Sequence, residues 1–256
     1  QKMGWEYLSP AEANKLRGDK TANVLLDELL INWLRTHNSI SYKDISLPFS
    51  DSNIMAAVDA LREVSFDGLI RSNERIYDLL SLGKSLPQIV EGDLKSFSLR
   101  YIDWGNPDKN VFHVTEEFAV ERAGSYETRR PDIVLFVNGI PLGVIECKSP
   151  NIKAPMEQAI SQHIRNQKED GIPRLFQYSQ LLLALSKNEA KYATCGTSAR
   201  FWAIWKENAD RKIEELKQRE VSEAAKRVML DAYSKDHKVR QLLDAPADHM
   251  VTEQDR

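Results

Sequence analysis

The sequence predicts an α/β protein in which helices flank a core sheet, and three observations predict it. Apolar residues recur at helical spacing through much of the first ninety positions, the period shortens to two from Lys95, and two apolar runs meet at Asn138-Gly139. With 256 residues and 42% hydrophobic content, the chain can bury one good core with a smaller helical lobe attached.

Between residues 21 and 37, Val24, Leu25, Leu29, Trp33 and Leu34 share one broad face at helical spacing, with Thr21 near the expected cap. A second helix is expected after Ser50-Asp51-Ser52, carrying Ile54, Ala57, Val58 and Leu61, and a shorter third one stops at Gly83. Residues 1–94 thus read as a mostly helical N-terminal region. A sheet is expected to begin at Lys95, where Phe97, Leu99 and Tyr101 alternate with polar residues. Gly105-Asn106-Pro107-Asp108 turns the chain, and Phe112, Val114 and Phe118 mark another strand. Ile133 to Val137 is an unbroken apolar run, Asn138-Gly139 is a hairpin signal, and Leu142 to Cys147 is the returning strand. A helix through Met156, Ile160 and Ile164 follows. Beyond Gly171-Ile172-Pro173 come strand-like segments at Tyr178–Leu185 and Tyr192–Thr197, then the aromatic run Phe201 to Trp205, so the core spans 95–206. Residues 207–256 are rich in charge and Ala, with sparse apolar positions such as Ile213, Leu216 and Val228. That pattern suits a helical connector packing on something further along the polypeptide, or a plain solvated helix. The chain reads as a fragment of a longer polypeptide.

Composition narrows the function classes. No apolar run is long enough to span a bilayer and no secretory signal opens the chain, so a cytoplasmic protein is expected. Cys147 and Cys195 lie far apart without CxxC spacing, which argues against a disulfide framework or a zinc site. A net charge of −3 means that any contact with nucleic acid is made by locally clustered cations or by partners.

The chemistry concentrates in the hairpin. Asp132 opens its first strand and Glu146-Cys147-Lys148 closes the second, so the antiparallel pairing brings both carboxylates and the amine to one end. Alternation along the strand turns Glu146 and Lys148 to one face and Cys147 to the other. Two carboxylates, with the backbone carbonyl of Cys147 as an additional oxygen ligand, suit Mg²⁺. A magnesium ion there lowers the pKa of a bound water and neutralises charge on a scissile phosphate, and Lys148 orients the water or the phosphate. Phosphodiester hydrolysis is the most economical chemistry for such a group. Spacing alone also admits a plainer account, a cross-strand ion pair of Asp132 and Lys148 with Glu146 solvated.

Pro131-Asp132 followed by Glu146-Cys147-Lys148 resembles the PD-(D/E)xK nuclease motif. The wording around it, from about Phe97 to Trp205, resembles the restriction (R) subunit of type I restriction-modification enzymes. Phe112 to Phe118, Arg130 to Leu142, Glu146 to Pro150 and Ile172 to Leu181 carry the resemblance. It implies a restriction-endonuclease-like core sheet flanked by helices and a type I site-specific deoxyribonuclease activity on double-stranded DNA. Asp132 and Glu146 would hold magnesium and Lys148 would be the catalytic lysine. It also implies an ATP-driven translocase that follows in the full-length subunit, with ATP bound there and not by this chain. Partner methylation and specificity subunits supply sequence recognition.

The family's Gln-x-x-x-Tyr motif on the next helix is matched by Gln162 with Asn166 in the place of Tyr, while an alternative register pairs Gln158 with Gln162. Gln162 is the candidate site glutamine. Other features carry less. Gly83-Lys84-Ser85 lacks the upstream Gly of a phosphate-binding loop, Asp78 standing there instead, and His37, His113, His163, His237 and His249 have no paired metal spacing. Asp27 or Glu28 is a candidate additional acid, though a solvated role is commoner for such residues. A catalytically idle DNA-binding or docking module of the same fold, or a repair or recombination nuclease, remains the alternative function. The number of metal ions and the oligomeric state stay open.

Overall fold

The computed structural model describes residues 4–187 and 189–206. The N-terminal region holds β1 (Glu6–Tyr7), α1 (Pro10–Leu16), α2 (Asp27–His37), β2 (Ser39–Tyr42), β3 (Ile45–Pro48), α3 (Asp51–Arg62), α4 (Leu69–Leu82), β4 (Lys84–Val90) and β5 (Asp93–Leu99). There follow β6 (Phe112–Glu116), β7 (Val120–Glu121), β8 (Thr128–Arg129), β9 (Ile133–Val137), β10 (Ile140–Cys147), α5 (Pro155–Asn166), α6 (Pro173–Phe176), β11 (Leu181–Leu185), β12 (Ala190–Ala193) and β13 (Ala203–Ile204). The expected connector, 207–256, lies outside the described residues, as do His237 and His249.

Seven strands form one mixed sheet in the order β1-β6-β9-β10-β11-β12-β13. β10 sits at its centre, antiparallel to β9 and parallel to β11. Six of the eight residues of β10 are buried, which is why its sequence is an apolar run rather than an alternation. On β9 burial alternates, with Val134 and Phe136 inward. Asn138 and Gly139 both have positive φ, 52° and 83°, the conformation of a two-residue type I′ turn. A Cβ on Gly139 would stand 2.6 Å from the Leu26 carbonyl oxygen and 2.9 Å from the Leu30 nitrogen, so the turn presses on the start of α2. The buried Asn138 side chain takes the N–H of Val111 and donates to the Tyr101 carbonyl and to Asn110 Oδ1.

Three helix expectations meet different fates. α3 is capped by the Ser50 side chain, which accepts from the Asn53 N–H, and α4 ends at Gly83 with φ 77°. The first helix begins only at Asp27, without a side-chain cap, and Thr21 does not cap it. Leu26 N–H donates 2.9 Å to the Gly139 carbonyl, holding that segment against the hairpin turn while Val24, Leu25 and Leu26 remain core.

The sheet expected from Lys95 is a different object. β5 pairs along its whole length with β4 in a separate hairpin, and the seven-stranded sheet draws instead on β1, which runs parallel to β6. β2 and β3 form a further small hairpin among the helices. Phe118 lies beyond β6, buried against Phe136 at a ring separation of 5.3 Å and under the Arg17 guanidinium. The buried apolar residues of α2, α3 and α4 belong to one continuous core with those of β9, β10, α5 and β11.

Candidate active site

The antiparallel register of β9 and β10 runs to Ile133 opposite Ile145, and the next residues outward are Asp132 and Glu146. Asp132 Oδ2 accepts a 2.7 Å hydrogen bond from the Cys147 N–H, which ties the carboxylate to the end of β10. The Lys148 N–H donates to the Leu185 carbonyl, so Lys148 still belongs to the frame that β11 provides. Lys148 Nζ lies 3.5 Å from Asp132 Oδ2 and 3.7 Å from Glu146 Oε2.

Glu146 is fully buried, and neither carboxylate oxygen has a hydrogen-bond partner among the described residues. The plainer account, with Glu146 solvated, therefore fails, although the Asp132–Lys148 pair it called for is present. Burial, reinforced by the negative charge of Asp132 and opposed by Lys148, pushes the Glu146 pKa up to about 8. A buried carboxylate without a donor is costly, and a cation with oxygen preference relieves it. With Glu146 unsatisfied and Asp132 Oδ1 making no hydrogen bond of its own, the donor set fits a magnesium ion. Among the described residues, no cluster of three or more His, Cys, Asp or Glu side chains suits a metal, so an ion here would need backbone and water for its remaining ligands.

α5 packs over β10 and β11 through Met156, Ala159, Ile160, His163 and Asn166. Its polar stripe, Gln158, Ser161, Gln162 and Arg165, lines a 360 Å³ cavity together with Lys148 and Glu157. Both glutamines thus stand in the Lys148 cavity, but Gln158 already donates 2.7 Å to the Lys153 carbonyl, and Gln162 makes no hydrogen bond to Asp132, Glu146 or Lys148. Asn166 is buried and turned elsewhere, its Oδ1 accepting from Arg129 Nη1 at 3.1 Å.

Other candidates settle into structural roles. Asp27 is taken up by Arg62 at 2.6 Å and by Asn23, and Glu28 is exposed. His163 is buried: its Nε2 meets the Leu183 carbonyl at 2.9 Å, and burial drops its pKa to about 4, so it stays neutral with its proton on Nε2. His113 is likewise buried, with Nε2 3.4 Å from Glu6. Gly83 closes α4 and Lys84-Ser85 open β4, so that trio forms no phosphate loop. The residue that sequence reasoning missed is Arg165. The i, i+3, i+4, i+7 spacing of Gln158, Ser161, Gln162 and Arg165 was its available signal.

A family model, the type I restriction enzyme R protein N terminus, matches residues 1–201. The chain belongs to that family. Among its relatives is a putative type I restriction enzyme MjaIXP endonuclease subunit of Methanocaldococcus jannaschii, 35% identical over 132 residues, covering 50% of this chain and 12% of that protein. The type I restriction enzyme HindI endonuclease subunit of Haemophilus influenzae is 28% identical over 215 residues, covering 80% of this chain and 19% of that protein. The chain therefore spans a fifth or less of the length of these relatives. Among the described residues, no helix is long and apolar enough to cross a membrane.

Proposed function

We propose that this chain is the magnesium-dependent endonuclease domain of a type I restriction enzyme R subunit, hydrolysing phosphodiester bonds of double-stranded DNA on a PD-(D/E)xK core. The observation that carries the reading is Glu146: fully buried, both oxygens without a donor, and beside Asp132 and Lys148. A structural ion pair has no need of such a group, whereas a metal ligand does.

Asp132, Glu146 and the Cys147 carbonyl would hold the ion, which when bound supplies an acidic water and positive charge at the scissile phosphate. The chain's own groups do the rest. The Cys147 N–H orients the Asp132 carboxylate through its 2.7 Å bond. Lys148, an ammonium with three donors and only 18% side-chain exposure, is held between the two acids and stabilises negative charge on the phosphate. Gln162 stands in the same cavity, and its amide, without a hydrogen-bond partner among the described residues, could serve a phosphate oxygen or a water. The names of the relatives, endonuclease subunits of type I restriction enzymes, support a subunit that works inside a restriction complex; methylation and specificity subunits as partners, ATP bound only in the longer polypeptide and a cytoplasmic setting belong to the proposal.

Two measurements test this. Calorimetric titration of the chain with Mn²⁺ should show a site that Glu146→Gln and Asp132→Asn each remove. Circular DNA incubated with the assembled enzyme should be cut with Mg²⁺ or Mn²⁺ and left intact with Ca²⁺ or EDTA, and Lys148→Ala should abolish cutting while leaving metal binding in place. DNA binding with neither metal uptake nor cleavage would instead identify an idle DNA-binding module.

A further inference from the structure

We propose that a continuous cationic track leads from Lys148 across the molecule and seats the backbone of a DNA duplex; the inference deepens the nuclease reading and rests on it. Its members are Lys148, Arg165, Arg129, Arg122, Arg174 and Lys20, and each neighbouring step is visible in the structure. Lys148 and Arg165 line one cavity. Arg129 Nη1 donates to the Arg165 carbonyl at 3.1 Å, and β8, which ends at Arg129, pairs with β7, which Arg122 follows; burial and the charges of Arg122 and Arg165 lower the Arg129 pKa, while Asp170 and Glu127 raise it. Arg122 lines a 650 Å³ cavity with Arg174 and Arg62, and Arg174 and Arg62 in turn line a 380 Å³ cavity with Lys20 and Arg17.

Paired charges along this path are accounted for. Lys148 is engaged by Asp132 and Glu146, Arg122 by Glu127 and Asp170, and Arg62 by Asp27 and Asp59. Glu157, Glu121 and Glu169 line the cavities as well. Arg129, Arg165, Arg174 and Lys20, by contrast, have no carboxylate within ion-pair distance among the described residues. Arg129 and Arg174 spend hydrogen bonds on backbone carbonyls and the Asn166 amide, which fix the guanidinium without cancelling its charge. On a chain whose net charge is −3, unneutralised cations gathered on one path set up the local positive field that a polyanion needs. The path starts at the proposed scissile-phosphate site, so a DNA duplex is the occupant it fits.

The test uses the Glu146→Gln chain in EDTA, so that neither cleavage nor metal enters, and a fluorescent 30-base-pair duplex read by anisotropy between 50 and 300 mM salt. Arg165→Ala, Arg174→Ala and Lys20→Ala, all at exposed positions, should each reduce the slope of log K against log salt by about one. Each should weaken binding roughly fivefold to tenfold at 0.1 M salt. Lys95→Ala, on the separate β4–β5 hairpin, should change neither. Thermal melts confirm that the variants fold. A triple variant with the parental slope, or a parent chain that fails to bind at 50 mM salt, overturns the track. Weakened binding by the track variants, in an enzyme that never cuts with Mg²⁺, would keep the track and sink the nuclease reading. Unchanged binding with normal metal-dependent cutting would do the reverse.

Discussion

Glu146→Gln should gain stability on the wild-type chain, both metal-free, as the pH rises from 5 toward 8. The folded chain holds the Glu146 proton up to about pH 8, against an ordinary value of 4.5. Between those values the folded state binds a proton that the unfolded state has lost. Stability is thus fully present below 4.5, declines as pH rises, and levels off above about 8. The slope is roughly 1.4 kcal/mol per pH unit, so about 3 kcal/mol is lost between pH 5 and pH 7. Glutamine carries no such slope, and whatever its buried amide costs is the same at every pH. The difference between wild type and variant therefore isolates this one group. For a compact unit of this size, 3 kcal/mol corresponds to about 6–12 °C in melting temperature. Calorimetric melts in EDTA at pH 5, 6, 7 and 8 should show the variant gaining on wild type by that amount from pH 5 to pH 7. Parallel profiles across that range would refute the argument that the carboxyl group is buried without a hydrogen-bond donor. Mg²⁺ should raise the wild-type melting temperature more at pH 8 than at pH 6, because the ion competes with the proton.

Other expectations follow from the hairpin and from α5. Gly139→Ala should cost roughly 2–4 kcal/mol, from the positive φ and from the 2.6 Å approach of its Cβ to the Leu26 carbonyl oxygen; an unchanged denaturation midpoint would show that the turn has room. Gln162→Ala should lower the cleavage rate roughly tenfold to a hundredfold, as lost support around a metal site does, and Gln158→Ala should matter less because its amide already serves the Lys153 carbonyl. Asn166→Ala should leave the chemistry alone but loosen Arg129, which would appear as weaker DNA binding at unchanged metal affinity.

Much of the scaffold was legible in the sequence because its signals are local. The Asn138-Gly139 turn, the apolar runs on either side of it and the capping Ser50 each declare themselves within a few residues. The convergence of Asp132, Glu146 and Lys148 followed from turn geometry alone. What escaped depends on distant partners. β1 is two residues long and earns its place in the sheet only by pairing with β6. β5 alternates as a sheet strand should, yet nothing in its own residues says that its partner is β4. The segment before α2 carries helical spacing, but the hydrogen bond that its Leu26 N–H donates to the hairpin turn overrides it. Burial of Glu146 was also hidden: its neighbours in the sequence say that it reaches a strand end, and only α5 and β11 determine that the end is dry.

The seating of β10 between β9 and β11 bears on the order in which the site comes together during synthesis. Asp132 and the Cys147 N–H are 15 residues apart, so their meeting closes a short loop and needs only the hairpin. β11 pairs with β10 from across the whole of α5 and α6, setting Ala184 opposite Glu146, so the frame beside Glu146 includes residues synthesised well after the hairpin. An emerging chain can thus gather its two acids while both are still hydrated and repel only weakly. Sealing a carboxyl group against the sheet is unfavourable by itself, and it needs the rest of the core to drive it. A divalent ion captured at the open hairpin stage would be sealed in with the carboxylate it neutralises.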